Sequence, residues 1–424
     1  MNSTNEVFNL ERAVLIAVKT RWDDIDVDTS LDELEDLANT AGVETVARVI
    51  QAKESPDKFT YLGIGRIEEL RDFVLTNDID VVIADDELSP LQMEKIGEVL
   101  EIKIMDRTGL ILDIFAQRAK SKEGQLQVEL AQLRYLLPRL KGSREGLSRL
   151  GGGIGTRGPG ETKLEVDRRI VRTRIASLRR ELEDVVSHRE QQRKQRKENQ
   201  VPQVSLVGYT NAGKSSLLTK LTGSQTYAAD QLFATLDPLV RRWLLPNNQE
   251  ILIADTVGFI RKLPHDLIAA FRATLEELKD ATLLLHVVDS KGIDFDAQIS
   301  SVNETLNAIG CKVPSLMVFS KADLLSEGEK NFIKTMYPDA ILVSALTGQG
   351  LDELGEAVIK KAHLGKVELN LQFPYSSIDW LNRLYEDGEV KTVTYDEEGL
   401  KVTAEVSMIL AEILLPYIVE EELS

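Results

Sequence analysis

Runs of apolar residues short enough for buried strands alternate along this chain with segments of helical period. Arg12–Val18 is nearly free of polar interruption and predicts a strand buried on both faces. Ser30-Leu31-Asp32-Glu33 has the spacing of a capping box, which predicts the start of a helix that Gly42 stops. Val43–Ala52 then predicts a strand, Ile67–Leu75 a helix, and Ile79–Ala84 a strand. Ser89-Pro90 supplies an N-cap and a first helical residue, and Ile102–Met105 predicts a further strand. Alternation of this kind implies a small parallel α/β domain over residues 1–117. Gly63 and Gly65 precede a helix, which admits a second phosphate site, although a structural turn is the better reading of a lone G-x-G.

From Arg118 the period is that of a coiled coil. Leu126, Leu130, Leu133, Leu137 and Leu140 form one seam; Leu164, Val171, Ile175, Leu178, Leu182 and Val185 form a second. Pro138 should kink or end the first helix, and Thr162 with Glu165 should cap the second. The prediction is a helical coiled-coil hairpin over 118–198, with the glycine-rich Gly151–Gly160 at its tip. Arg189–Gln200 is polar, basic and without periodicity, and reads as a linker.

Charge sharpens this picture. The chain has a net charge of −18, yet residues 118–198 hold 21 Lys/Arg against 11 Asp/Glu, so that segment is +10 and the remainder −28. A basic segment on an acidic body implies a local polyanion contact. A glycine-rich link framed by arginines suits an irregular RNA surface, and Arg149, Arg157 and Lys163 are the candidate RNA contacts. The competing reading is a solvated coiled coil whose glycines form a joint.

Chemistry concentrates after residue 199. Val204–Val207 predicts a strand, Gly208-Tyr209-Thr210-Asn211-Ala212-Gly213-Lys214-Ser215 is a complete G-x-x-x-x-G-K-[ST], and Ser216–Thr222 is a helical pattern stopped by Gly223. Backbone N–H groups of such a loop curl around phosphate oxygens at a helix N-terminus. Lys214 can reach the outer phosphates, and the Ser215 hydroxyl can ligate Mg²⁺. Ile251–Ala254, Leu283–Val288, Ser315–Phe319 and Ala340–Val343 predict further parallel strands, and polar residues follow three of them where such sheets bind ligands. Asp255 can hold a magnesium-bound water, the Gly258 amide can meet the γ-phosphate, and Thr235 can complete the magnesium shell only when a third phosphate is present. The Asp323 carboxylate can accept the guanine N1–H and exocyclic amine, with Lys321 alongside and the Ala345 amide toward the guanine carbonyl. These features predict a P-loop GTPase domain over 199–365. Beyond it, strand Leu369–Phe373, a helix from Ser377 to Tyr385 and a hairpin of Val390–Tyr395 with Leu400–Val406 predict a small α+β domain over 366–424, free of catalytic constellations.

No apolar run approaches the ~20 residues of a membrane span, and the N-terminus lacks the pattern of a signal peptide. Cys311 is the only cysteine, four histidines show no zinc spacing, and no internal disulfide can form. The expected location is the cytoplasm, with peripheral membrane attachment as a second location and a monomer as the expected free state.

The stretches GYTNAGKSS, FATLDP, DTVGFIRKLP, SKAD and SALTGQGLDEL resemble translational G proteins of the TrmE–Era type. LQVELAQLRYLLPRL, GPGETKLEVDRRI and DRTGLILDIFAQRA resemble the HflX family in particular, and the resemblance spans nearly the whole chain. It implies a nucleotide site of Gly208, Tyr209, Thr210, Asn211, Ala212, Gly213, Lys214, Ser215 and Ser216 with Phe233, Ala234, Thr235, Leu236 and Asp237. Asp255, Thr256, Val257 and Gly258, Ser320, Lys321, Ala322 and Asp323, and Ser344, Ala345 and Leu346 complete it. Lys214, Thr235 and Gly258 are the implied catalytic groups, Ser215 and Thr235 the magnesium ligands, and Asn211 a potassium ligand.

By the same resemblance the chain is a slow GTPase that binds GTP and GDP, associates with the large ribosomal subunit, and splits or rescues stalled ribosomes under stress. Two alternatives remain: a G protein assisting RNA modification, and a nucleotide-gated RNA-binding scaffold that does not hydrolyse. The latter is motivated by Phe259, which stands where many GTPases place a water-orienting Gln. Ser320 stands where the family usually has Asn, and its shorter side chain is expected to weaken nucleotide affinity. Gly63-Ile64-Gly65-Arg66 replaces a more basic family pattern.

Overall fold

The structure, a computed structural model, describes residues 10–21, 26–140, 163–198, 202–223, 232–233, 239–262, 277–292, 294–362, 366–377, 379–396 and 399–419. The first sheet holds β1 (Glu11–Lys19), β2 (Val43–Ala52), β3 (Val81–Ala84) and β4 (Lys103–Asp106), parallel and in the order β2-β1-β3-β4. Helices α1 (Val27–Thr40), α2 (Ile64–Thr76) and α3 (Pro90–Leu100) form the crossovers, and α4 (Arg107–Arg118) follows β4 directly. Apolar residues of β1 alternate between two buried clusters, Ala13, Leu15 and Ala17 in one and Val14, Ile16 and Val18 in the other. That double burial is why the strand reads as an unbroken apolar run.

Two local signals mean something different from what they suggest in isolation. Helix α1 begins at Val27, so Ser30 and Glu33 lie inside it and form no capping box. Their side chains are drawn into tertiary contacts instead: Ser30 Oγ donates to Asp85 and Glu33 pairs with Arg107. Gly63 is the N-cap of α2, and Ile64 and Gly65 are helical residues, so the G-x-G is a helix start rather than a loop. The Ser89–Gln92 capping box, by contrast, is formed in both directions.

Helix α5 (Lys122–Leu136) ends in a 3₁₀ turn at Leu137–Arg139 around Pro138, as a proline without an N–H requires. It packs on α6 (Lys163–Glu198) through Leu126, Leu130 and Leu133 against Val171, Ile175 and Leu178, and Arg174 grips Glu129 with two hydrogen bonds. The 36-residue α6 runs through residues 189–198, which corrects the linker reading. Its Arg, Lys, Gln and Glu residues favour helix intrinsically, and a segment without apolar residues shows no apolar period in the sequence. Gly151–Gly160 and Thr162 lie outside the described residues.

The second sheet runs β10-β9-β8-β5-β7-β6. Its parallel members are β5 (Gln203–Gly208), β7 (Glu250–Asp255), β8 (Leu283–Asp289), β9 (Ser315–Ser320) and β10 (Ile341–Leu342). The edge strand β6 (Leu239–Leu244) is antiparallel to β7 and was not apparent in the sequence. Its Arg241 and Arg242 interrupt the apolar run that marks the inner strands. Helices α7 (Lys214–Thr222), α8 (Phe295–Ala308), α9 (Glu327–Met336) and α10 (Leu351–Lys361) belong to the same unit. A third, antiparallel sheet joins β11 (Lys366–Phe373), β13 (Gly399–Ser407) and β12 (Gly388–Asp396), covered by α11 (Asp379–Asp387) and α12 (Met408–Leu414) over Leu371, Phe373, Leu384, Val402 and Leu414.

Arg107, 2% exposed, ties α1, β3 and α4 together. It contacts Glu33 at 2.5 Å and Asp85 at 2.6 Å, and donates to the Ser30 and Asp85 carbonyls. Burial alone would raise the Asp85 carboxyl, but the charges of Arg107 and Lys262 more than reverse this and hold it below its ordinary 3.8. Arg107→Ala strands buried carboxylates and should cost about 3–5 kcal/mol in denaturant unfolding. Because the folded pKa of Asp85 is lowered, its contribution is present above pH 3.8 and lost as pH falls through the folded value. The gap between wild type and variant should therefore narrow below that pH, and a constant gap would mean that Asp85 is not the partner that matters.

Candidate nucleotide-binding site

The phosphate loop leaves β5 at Gly208, whose φ is +152° and where a Cβ would lie 2.1 Å from the Val287 carbonyl oxygen of β8. Only glycine fits so close to a neighbouring strand. Asn211 and Gly213 also have positive φ, and α7 begins at Lys214, so the loop's amides end at a helix N-terminus. Lys214 is buried, and its Nζ donates to the Gly208 and Tyr209 carbonyls at 3.0 and 2.7 Å. Burial brings its ammonium down to about 8 despite Asp255 nearby, and burial together with Lys214 brings His286 down to about 4. A lysine held so far below its ordinary value gains strongly from a phosphate anion.

Ser215 Oγ donates to Asp255 Oδ2 at 2.7 Å, joining the loop to the end of β7. A hydroxyl and a carboxylate oxygen side by side are hard ligands of the kind Mg²⁺ takes. Thr256 Oγ1 donates to Leu206 O at 2.7 Å and anchors the Asp255–Gly258 turn on β5. Beyond it the two loops are zipped: Thr210 N donates to Phe259 O at 2.8 Å, and Phe259 N to Gly208 O at 3.1 Å. The Phe259 ring is buried in the core, which explains an apolar residue there.

On the opposite side, Ser320 Oγ donates to Ala212 O at 2.7 Å and lies 3.1 Å from Val288 O. The shorter side chain thus keeps a clasp on the phosphate loop. Lys321, with φ +55°, pairs with Asp289 at 2.6 Å, and Ala322 N donates to Val343 O. Asp323 lies exposed in a 3₁₀ turn, beside a loop in which Ser344 Oγ accepts from Thr347 N and Leu346 is 81% exposed. The residues expected at the ends of β5, β7, β9 and β10 are therefore brought together. Phe233 is described as well, whereas Ala234, Thr235, Leu236 and Asp237 lie outside the described residues, as do Arg149 and Arg157; for Lys163 only the backbone is described.

A set of contacts that the sequence did not reveal joins this site to the first sheet. The Tyr209 hydroxyl donates to Glu33 and accepts from Arg261 N at 2.7 Å. Lys262, with φ +52°, pairs with Asp85 and Asp86 at 2.6 Å each. Phe233 meets Phe115 edge to face with ring centroids 4.6 Å apart. Phosphate loop and both neighbouring loops thus touch α1, α4 or the end of β3. Phe115 lies in DRTGLILDIFAQRA, Arg261 and Lys262 in DTVGFIRKLP, Tyr209 in GYTNAGKSS and Phe233 in FATLDP, whereas Glu33, Asp85 and Asp86 lie in none of these stretches, and the pairing leaves no local trace.

A family profile described as GTP-binding GTPase N-terminal matches residues 28–116. Others, described as GTP-binding GTPase middle region and 50S ribosome-binding GTPase, match 118–196 and 203–321. The GTPase HflX of Caldanaerobacter subterraneus subsp. tengcongensis is 48% identical over 410 residues, 96% of this chain and 94% of that protein. The chain belongs to the HflX family of GTPases. HflX of Escherichia coli K12 is 43% identical over 401 residues, 94% of this chain and 93% of its own. A GTP-binding protein from Sulfolobus solfataricus, solved with GDP, is 26% identical and covers 83% of this chain and 98% of its own at a TM-score of 0.45. As an HflX protein with this GTPase domain, the chain binds and hydrolyses GTP, which sets the non-hydrolysing scaffold aside. No helix among the described residues is long and apolar enough to cross a membrane.

The Ser320 clasp makes a test available. Ser320→Ala leaves the buried Ala212 carbonyl without its donor and should cost about 1–3 kcal/mol. The loss should appear as faster hydrogen exchange at the end of β9 and in the phosphate loop; unchanged protection there would mean that the clasp contributes nothing.

Proposed function

We propose that this HflX-family GTPase binds the large ribosomal subunit in its GTP state and splits or rescues stalled ribosomes under stress. One observation carries the reading: a continuous set of contacts links the nucleotide loops to the base of the basic hairpin. Lys262 meets Asp85, Asp85 meets Arg107, and the adjacent Asp106 accepts from the Tyr135 hydroxyl at 2.7 Å where α5 ends. Arg139, at the start of the tip segment, lies over the Tyr135 ring and donates to Leu88 O. A shift of the loop after Gly258 thus has a route to the hairpin. In this reading the chain divides at 117, 198 and 365, works in the cytoplasm and is a monomer when free.

The roles of the site follow from its chemistry. Lys214 leaves the loop carbonyls for the outer phosphate oxygens, the Gly258 amide donates to the γ-phosphate, and Asp323 accepts from the guanine edge beside Lys321 and Ala345. Ser215 and Thr235 would hold Mg²⁺, with Asp255 reaching it through water; when bound, the ion neutralises charge on the phosphates. Asn211 would hold a K⁺ ion that adds positive charge at the same place. Thr235 and Gly258 close around a third phosphate and release without it, which makes the hairpin contact nucleotide-dependent.

Asp323→Asn replaces an acceptor by a donor facing guanine. It should weaken GTP binding by about 3–6 kcal/mol, two charge-assisted hydrogen bonds of about 1.5–3 each, and favour xanthine nucleotides in equilibrium titrations. Unchanged GTP affinity would remove Asp323 from the base site. For the hairpin, Arg149, Arg157 and Lys163 are neutralised together and binding to the large subunit is followed across a salt series. Each lost phosphate contact should flatten the log–log slope by about 0.7–0.9, with GTP binding by the free protein intact. A wild-type slope in the triple variant would leave the hairpin a solvated coiled coil.

A further inference from the structure

Helix α4 serves the junction with the GTPase unit through Arg107 and Phe115, but it also carries Asp113 and Gln117, a helical turn apart, which that junction does not use. Both line a cavity of about 480 Å³ at the starts of the strands of the first sheet. Glu11, Val43, Val81 and Lys103, each the first residue of its strand, line it too. Ile83, Met105 and Leu110 extend the apolar wall, and the C-terminal end of α1 reaches it at Ala41 and Gly42. The nucleotide loops meet the first sheet at its other end, around Asp85, so the cavity is no part of the GTP site.

The charge in this cavity is unbalanced. Glu11 and Lys103 pair loosely with each other at 3.7 Å. Asp113 is half-buried, yet it has no hydrogen bond or ion pair among the described residues. Burial raises its carboxyl above the ordinary 3.8, and Lys103 lowers it without reversing the shift. Helix α1 adds the partial negative charge of its C-terminal end, with no basic residue in its last turn to offset it. A carboxylate in such a place is costly until a cation answers it.

The donor set suits an organic cation better than a metal ion. Among the described residues no group of three or more His, Cys, Asp or Glu is placed to hold a metal. The wall is largely aliphatic, and the volume lies within the roughly 300–1,000 Å³ of ordinary small-molecule sites. We propose that this cavity binds a small organic amine, its ammonium paired with the Asp113 carboxylate and its hydrocarbon part against Val43, Val81, Ile83 and Leu110. Gln117, exposed at the rim, offers an amide oxygen as a second acceptor.

The probe is hexylamine, titrated calorimetrically into the full-length wild type, Asp113→Asn and Gln117→Lys, with hexanol, hexanoate and methylamine as controls. Hexylamine should bind the wild type saturably and more tightly than hexanol or hexanoate, which lack the positive charge, and than methylamine, which lacks the hydrocarbon. Asp113→Asn keeps the shape of the side chain and should weaken hexylamine binding by about 10-fold or more, with basal GTP hydrolysis unchanged. Gln117→Lys sets a tethered ammonium one turn beyond Asp113, so it should weaken hexylamine binding and raise the melting temperature. This second variant retains the carboxylate, and it carries the test even where Asp113→Asn folds poorly. Equal hexylamine affinity in the wild type and either variant would overturn the proposal, as would the absence of saturable binding. Methylamine binding as tightly as hexylamine would also overturn it, showing only the general attraction of cations to a chain of net charge −18.

Discussion

A guanidinium with almost no access to water organises the side of the first sheet that faces the GTPase unit. Arg107 is affordable in the interior only because Glu33 and Asp85 are placed to meet it. Those carboxylates are in turn placed where Lys262 and Tyr209 of the GTPase unit can reach them. The requirement to pair buried charge therefore determines how the nucleotide loops face the first sheet. Apolar packing supports the junction through Phe115 and Phe233, but apolar contacts tolerate sliding, whereas a paired guanidinium has directional demands.

The same economy appears inside the nucleotide site, where most polar groups already answer one another. Lys214 is satisfied by two loop carbonyls, Ser215 by Asp255, and Ser320 by Ala212. Phosphate oxygens must compete with these internal partners, so binding exchanges one set of hydrogen bonds for another. Such exchange favours discrimination between ligands over raw affinity. The serine at 320 fits the pattern: it retains the contact to the loop, which lies within reach of a short side chain.

What the sequence disclosed and what it withheld divide by distance along the chain. The phosphate loop, the Asp255–Gly258 turn and the Ser320–Asp323 segment are contiguous, and strand ends deliver them together, so their chemistry is legible residue by residue. The inner strands are legible because burial on both faces leaves unbroken apolar runs. Strand β6 escaped because an edge strand carries arginines, and the last third of α6 because a helix without apolar residues resembles a linker in composition. Ser30 and Glu33 misled for a different reason, since a capping box and a pair of tertiary ligands have the same letters. Lys262 and Asp85 are 177 residues apart, and no local pattern records such a pairing.

The length of α6 has a mechanical consequence. Thirty-six residues at 1.5 Å per residue make a rod of about 54 Å. A rotation of about 10° around its Glu198 end would carry Lys163 through roughly 9 Å on that rod. Rearrangements of an ångström or two at the Glu198 end of α6 are therefore amplified several-fold at the far end. The helix acts as a pointer: a small energetic event is read out as a large displacement, while the pointer itself needs only to stay stiff.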